Sequence, residues 1–237
     1  DMELGSCDIV IGTHRLLQED ILFNKLGLVV VDEEQRFGVE SKEQLKRMRS
    51  TVDILTMTAT PIPRTLYFSL AGLRDFSTIM TPPVERKPVK TIVAKEDDEI
   101  IKQAIEREIE RGGQVYYLHN RVQTIEKKAF QIQQMVPDAK VVFGHGQMKG
   151  AELENVMSKF IDRKFNILVA TTIIESGLDN PYANTIIIDR ADRFGLAELY
   201  QLRGRVGRYH HQAYCYLLLP GDGLLMDTAR QRLTAIR

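Results

Sequence analysis

A run of acids and a run of arginines stand where chemistry on a phosphate could be done. Asp32, Glu33 and Glu34 follow the apolar stretch Leu28–Val31, and Arg203, Arg205 and Arg208 occupy one short segment far downstream. In an open parallel α/β sheet, ligands sit beyond the carboxyl ends of the strands, which is where acids after an apolar strand project. A strand-end aspartate can hold Mg²⁺ on a nucleotide, and a neighbouring glutamate can orient or deprotonate the attacking water. Guanidinium groups delivered across an interface can stabilise the charge spread over a transferring phosphoryl group, and the arginine spacing sets several of them on one side of a helix. Taken singly, each cluster is equally compatible with a solvated turn or a surface helix end.

The elements that must position these groups alternate between short apolar runs and amphipathic stretches, the βα pattern. Strands are expected at Asp8–Gly12, Leu26–Val31, Val52–Met57, Val89–Ala94, Gln114–Leu118, Ala139–Phe143, Asn166–Ala170, Asn184–Ile188 and Ala213–Leu219. Several are continuously apolar, as parallel strands covered on both faces must be. Helices are expected at Asp98–Arg111, Gln123–Met135 and Gly150–Asp162. Three prolines between Thr81 and Val89 interrupt the alternation and read as a linker. The expected class is therefore α/β with two parallel-sheet units: residues 1–80, a linker at 81–90, a second unit at 91–220, and the start of a helical segment at 221–237. The first unit has only three or four strand-like runs and is expected to be incomplete at its N-terminus.

Composition narrows the function classes. The 237 residues carry 32 basic and 32 acidic side chains, so no global field draws in nucleic acid. Locally, no acid occurs between Glu198 and Asp222, across the arginine segment. No apolar run approaches the ~20 residues of a membrane-spanning helix, so no membrane partner is expected. Cys7 and Cys215 stand at opposite ends and make neither a disulfide framework nor a metal-ligand pair. A reducing, cytoplasmic setting follows. The five histidines lack zinc-ligand spacing, and no G-x-S-x-G elbow supports a serine hydrolase.

A third motif, Thr58-Ala59-Thr60-Pro61, lies between the acids and the arginines. DEEQ, TAT and QLRGRVGR in that order across a linker resemble motifs II, III and VI of superfamily 2 helicases and translocases. IGTHRLL, YYLHNRV and ATTIIESGLDNP resemble motifs Ib, IV and V, so the likeness covers nearly the whole chain. DEEQRFGV, TATPIPRTL and DRFGLAELYQLRGRVGR point to the branch shared by transcription-repair coupling factors and fork-remodelling RecG helicases; FGHGQM and HHQAYCYLL lean towards the coupling factors.

The resemblance implies two RecA-like lobes that close over ATP, in part of a double-stranded DNA translocase that displaces stalled RNA polymerase. RNA polymerase and excision-repair proteins would be met through domains outside this chain. A RecG-type helicase is the alternative, as is a non-catalytic nucleic-acid or protein-binding module for the stretch in isolation. It further implies that Asp32 ligates Mg²⁺ through water, that Glu33 is the catalytic base, and that Gln35 and Gln201 touch the γ-phosphate region. Arg205 and Arg208 would be arginine fingers, and Gly177 and Asp179 would lie near the nucleotide sugar. Thr58, Ala59 and Thr60 would couple nucleotide state to lobe closure. Nucleic-acid contacts would come from Thr13, His14, Arg64, Asn120, Arg121, His145, Gly146, Thr171 and Thr172. Asn180 stands where an apolar residue is expected. No GxxxxGK[ST] phosphate loop occurs in the 237 residues, so that loop is expected upstream and the isolated stretch is expected to turn over no ATP.

In the complete protein, Glu33→Gln keeps the shape of the side chain and removes the base. ATP should still bind while steady-state hydrolysis falls by ~10² or more, the usual scale for loss of a general base. Wild-type turnover by that variant would contradict the role given to Glu33.

Overall fold

A computed structural model of the chain describes residues 3, 5–34, 37–58, 75, 77–79, 81, 87–173, 179–208, 210–221 and 227–236. Two compact units divide it, residues 1–78 and 79–237. In the first, β1 (Leu28–Asp32) and β2 (Asp53–Met57) run parallel, with Val30 opposite Leu55 and Asp32 opposite Met57. α1 (Val39–Met48) connects them and buries Leu45. Val31 is buried on one face of the pair, while Leu28, Val30, Leu55 and Met57 form an exposed apolar stripe on the other. The strand expected at Asp8–Gly12 does not form. Ile9 and Ile11 are 79% and 94% exposed, and among the described residues the two-stranded sheet offers that segment no partner. Apolar alternation without a ladder to join is not a strand.

The second unit is a six-stranded, fully parallel sheet. Its strands are β3 (Lys90–Lys95), β4 (Gln114–Leu118), β5 (Val141–Gly144), β6 (Ile167–Ala170), β7 (Ala183–Ile188) and β8 (Tyr214–Leu219), in the spatial order β3-β8-β7-β4-β6-β5. Side chains alternate across a strand, and that alternation splits the core in two. On one face Val115, Tyr117, Ile167, Val169 and Ile187 meet α2 (Asp98–Glu110) and α3 (Val122–Met135). On the other, Tyr116, Leu118, Leu168 and Ile186 meet α4 (Gly150–Ile161), α5 (Leu196–Arg203) and α6 (Asp227–Ile236). Every residue of β4, β6 and β7 is buried, which explains why their sequences are mostly apolar rather than alternating, with Gln114, Asn184 and Thr185 as the buried polar exceptions.

Local chemistry sets the helices. The Asp97 carboxylate caps α2 by accepting from the Glu99 amide at 2.8 Å. Ile101, Ala104, Ile105 and Glu108 recur at helical spacing on the buried side of α2, and Glu108 is a carboxylate on an apolar stripe. It is tolerated there because the Thr185 hydroxyl and the Arg111 guanidinium both donate to it.

Phe160 is fully buried on α4, its ring 5.4 Å from that of Tyr116. Phe160→Ala should lower the stability of the second unit by about 3–5 kcal/mol through lost burial and the cavity left behind. Phe130→Ala, at a site 64% exposed, should change it by less than about 0.5 kcal/mol. Denaturant titration of both variants checks the contrast.

Candidate nucleotide and nucleic-acid sites

The first unit presents its candidates at the carboxyl ends of β1 and β2. Asp32 closes β1 exposed, and the amide of Glu33 donates to the Met57 carbonyl at 2.9 Å. Glu33 then enters the left-handed region at φ 55°, which costs a non-glycine residue about 1–2 kcal/mol. The strand's two-sided alternation ends there, so two consecutive acids need not point to opposite faces of the sheet. Thr58 follows Met57 half-buried. Thr13 caps the short 3₁₀ helix His14–Leu17, its hydroxyl accepting from the Arg15 amide at 3.5 Å, and His14 lines a surface cleft with residues 37–41. Gln35, Ala59, Thr60, Arg64 and Gly177 lie outside the described residues.

In the second unit the nucleic-acid candidates share one edge. Asn120 and Arg121 follow β4, His145 and Gly146 follow β5, and Thr171 and Thr172 follow β6. Because β4, β6 and β5 are successive parallel neighbours, these three loops stand side by side at the carboxyl edge. Asn120, Arg121 and Gly146 are exposed, Thr172 and His145 half-buried, and Thr171 buried. The His145 ring stacks on Phe143 at 6.3 Å with 19° between planes, and its Nδ1 is buried without a hydrogen-bond partner among the described residues. Amides, hydroxyls and a guanidinium along a loop edge suit contact with a nucleic-acid backbone, which carries no base identity.

The nucleotide candidates gather at the opposite edge. α5, which carries Gln201, leads back from the carboxyl edge towards the start of β8, and the arginines beyond its end arrive beside the amino ends of the strands. The arginines do not share a helix face as their spacing suggests: α5 stops at Arg203 with Gly204 as its C-cap, so Arg205 and Arg208 lie in the turns that follow. Arg208 Nη1 donates to Asp179 Oδ1 at 3.1 Å. With the two side chains 33% and 54% exposed, such a pair is worth only about 0–1 kcal/mol. A phosphate can displace it at little cost.

Asn180 explains why Asp179 sits there. It is buried, its Nδ2 donates to Gln114 Oε1 at 3.1 Å, and its Oδ1 accepts from the Tyr182 amide at 3.0 Å. Gln114 Nε2 in turn donates to the Phe160 and Phe165 carbonyls, each at 2.7 Å. A satisfied amide network therefore replaces the expected apolar contact, and it ties the residue after Asp179 to the first residue of β4. Burial raises the phenol of Tyr116 to about 12, opposed by its hydrogen bond with Asn180 and by the positive charges of Arg208 and Arg205. Arg203 belongs elsewhere: it donates to the Ile236 carbonyl at 2.7 Å and stacks on Tyr200, holding the last turn of α6. Neither the Gln114–Asn180 pair nor this clamp has a signal in sequence, because the partners stand 66 and 33 residues apart.

Gly207 fixes the arginine turn. Its φ is 72°, and a Cβ there would lie 2.9 Å from Val89 Cγ2 and 3.0 Å from Ala213 Cβ.

Residues 1–67 match the DEAD/DEAH box helicase family and residues 96–210 the helicase conserved C-terminal domain. The chain is 57% identical to the transcription-repair-coupling factor of Haemophilus influenzae and 58% identical to that of Escherichia coli. Each match covers 98% of this chain and 20% of the relative, so the chain spans about one fifth of the length of these proteins. Among solved structures, RecG bound to a three-way DNA junction matches with a TM-score of 0.73 at 37% identity, over 96% of this chain and 30% of that one. Saccharomyces cerevisiae Dbp5 bound to RNA and ADP BeF3 matches at 0.67 and 13% identity, over 94% and 60%, a likeness of fold alone. The two parallel-sheet units are RecA-like helicase lobes.

Gly207→Ala combines a left-handed backbone with a contact against two packed residues, and should destabilise the second unit by about 1–3 kcal/mol. A denaturation midpoint equal to wild type would show that the turn is not held by this close approach.

Proposed function

We propose, from the match of residues 1–67 to the DEAD/DEAH box helicase family and of residues 96–210 to the helicase conserved C-terminal domain, that the chain is the motor region of an ATP-driven double-stranded DNA translocase which couples transcription to DNA repair. The observation that carries this reading is the split of functional groups within the second unit. The candidates for backbone contact line the carboxyl edge of one sheet while Asp179, Arg205 and Arg208 gather at the other. One rigid sheet thereby carries a track for nucleic acid and a trigger for phosphoryl transfer.

ATP is the nucleotide, and Mg²⁺ its metal. Asp32 is an exposed carboxylate at the end of a parallel strand, and among the described residues no group of three His, Cys, Asp or Glu side chains gathers around a metal. That fits Mg²⁺, which is held by one or two carboxylates together with waters and substrate phosphates rather than in an all-protein cage. The bound metal neutralises charge on the phosphates. Glu33 takes the proton of the attacking water, and Gln35 and Gln201 hold the γ-phosphate region. Arg205 and Arg208 stabilise the transferring phosphoryl group once Arg208 leaves Asp179, which then serves the sugar with Gly177. Thr58, Ala59 and Thr60 report nucleotide state, and the loops at Asn120, Arg121, His145, Gly146, Thr171 and Thr172 grip the duplex, with Thr13, His14 and Arg64 from the first lobe.

Stalled RNA polymerase and excision-repair proteins are the partners of the whole protein, met outside this region in the cytoplasm. Among the described residues no helix is long and apolar enough to cross a membrane. A RecG-type remodelling activity is the second reading, favoured by the 37% identity to RecG; the 57–58% identity to the coupling factors favours the first.

In the full-length protein, Arg208→Ala should lower ATP hydrolysis by on the order of 10³ or more with much less loss of ATP affinity, the scale of an arginine finger. Arg208→Lys should rescue poorly, because an ammonium lacks the planar fork. A non-hydrolysable ATP analogue should change duplex DNA affinity in wild type, as linkage requires. Nucleotide-independent DNA binding, identical in wild type and Arg208→Ala, sinks the reading.

A further inference from the structure

A buried polar pair with no part in the chemistry above closes the carboxyl end of β4. His119 follows the last residue of β4, and Asp189 follows the last residue of β7. Both are buried, at 8% and 6% exposure, and His119 Nδ1 lies 2.6 Å from Asp189 Oδ2. The other ring nitrogen, Nε2, lies 2.8 Å from the Thr124 hydroxyl in the first turn of α3. An ionised carboxylate only accepts, so Nδ1 carries the proton towards Asp189, while Nε2 pairs with the Thr124 hydroxyl, which can donate or accept. One imidazole therefore bridges three elements: the end of β4, the end of β7 and the start of α3.

Between His119 and α3 lie only Asn120 and Arg121, two of the nucleic-acid candidates. Their backbone is held at both sides. The His119 amide donates to the Ala170 carbonyl at 2.8 Å, the Arg121 amide to the His119 carbonyl at 2.9 Å, and the Thr124 amide to the Arg121 carbonyl at 3.2 Å. Arg121 is the N-cap residue of α3 but makes no side-chain cap bond. The Asp189 side of the bridge is equally constrained, because its amide donates to the Leu118 carbonyl at 3.0 Å and the next residue, Arg190, turns left-handed at φ 53°. Arg190 is engaged by both Asp192 oxygens, at 3.0 and 2.9 Å.

We propose that His119 is a positioning residue for duplex DNA: by bridging Asp189 and Thr124 it fixes the loop from which Asn120 and Arg121 reach the nucleic-acid backbone. The inference rests on the function given above. It adds a residue that touches neither DNA nor nucleotide, and it assigns Asp189 and Thr124 as that residue's supports. Around metal sites, loss of the hydrogen-bonded shell that supports a ligand costs about 10–100-fold in affinity or activity, and a binding side chain on a loop depends on its supporting shell in the same way.

The test uses the full-length protein with a fluorescent duplex, reading DNA affinity, DNA-stimulated ATP hydrolysis and the basal hydrolysis without DNA. His119→Leu combined with Asp189→Leu removes both members at once, so no unpaired carboxylate is left buried. The expected result is about a tenfold weaker duplex affinity and a matching rise in the DNA concentration for half-maximal stimulation, with basal hydrolysis and thermal midpoint near wild type. Asp189→Asn should restore duplex affinity to within about twofold of wild type, since the amide pairs with Nδ1 in either orientation and the Thr124 hydroxyl can donate or accept. Duplex affinity unchanged in the folded double variant overturns the proposal. So does an Asp189→Asn variant as weak as the double, and so does a double variant that loses basal hydrolysis in step with DNA binding, which is a fold defect. A wild-type protein whose hydrolysis ignores DNA would instead overturn the translocase reading, and this inference with it.

Discussion

The burial of β4 on both faces is the constraint on which the second unit depends. A parallel strand in the middle of a covered sheet has no water to satisfy its ends, so the polar residues that flank it must find partners inside the protein. They do so in opposite directions. At the entry, Gln114 pairs with Asn180 and with the carbonyls of Phe160 in the last turn of α4 and Phe165 in the loop beyond it; at the exit, His119 pairs with Asp189 and Thr124. Each pair lies beside candidates for a different ligand. The same strand thus sets the distance between the two edges where those candidates stand.

The core between the edges is packed from strands and helices whose side chains meet in two continuous clusters, and close-packed interiors transmit displacement rather than absorb it. The loops at the edges, by contrast, are held among the described residues by scattered hydrogen bonds and ion pairs such as Lys164 with Asp162, Arg190 with Asp192 and Arg208 with Asp179. Motion in such a domain concentrates at the low-stability ends while the sheet stays whole.

The arginine turn shows how the chain reconciles rigidity with release. Gly207 is pressed against Val89 and Ala213, so the backbone that carries Arg208 is fixed to the starts of two strands. The Arg208 side chain, however, pairs with Asp179 at the surface. A fixed base with a loosely held charged tip lets a guanidinium change partner without moving the fold. Arg203, five residues earlier, has the same chemistry and a different use, because its guanidinium is taken by the carboxyl end of α6 and the Tyr200 ring.

The sequence by itself determined the class of the fold, the strand and helix positions of the second unit, the candidate acids and arginines, and their order along the chain. These follow from local rules: apolar runs, amphipathic periods and motif spacing are written in consecutive residues. It misread Asp8–Gly12, whose alternation is real but whose partner is missing from the sheet, and it set Arg205 and Arg208 on a helix that ends before them. Only the tertiary structure decided which polar residues pair across the sheet, because Gln114 with Asn180 and His119 with Asp189 are 66 and 70 residues apart and no local pattern links them. It alone also decided that Glu108 is buried at a stripe position, that Asn180 is a network member rather than a misfit, and that nucleotide and nucleic-acid candidates occupy opposite edges of one sheet. The physical reason is the same in each case. Burial of a polar group is tolerated only where a partner arrives from a distant segment, and that arrival is a property of the packed sheet and not of the chain.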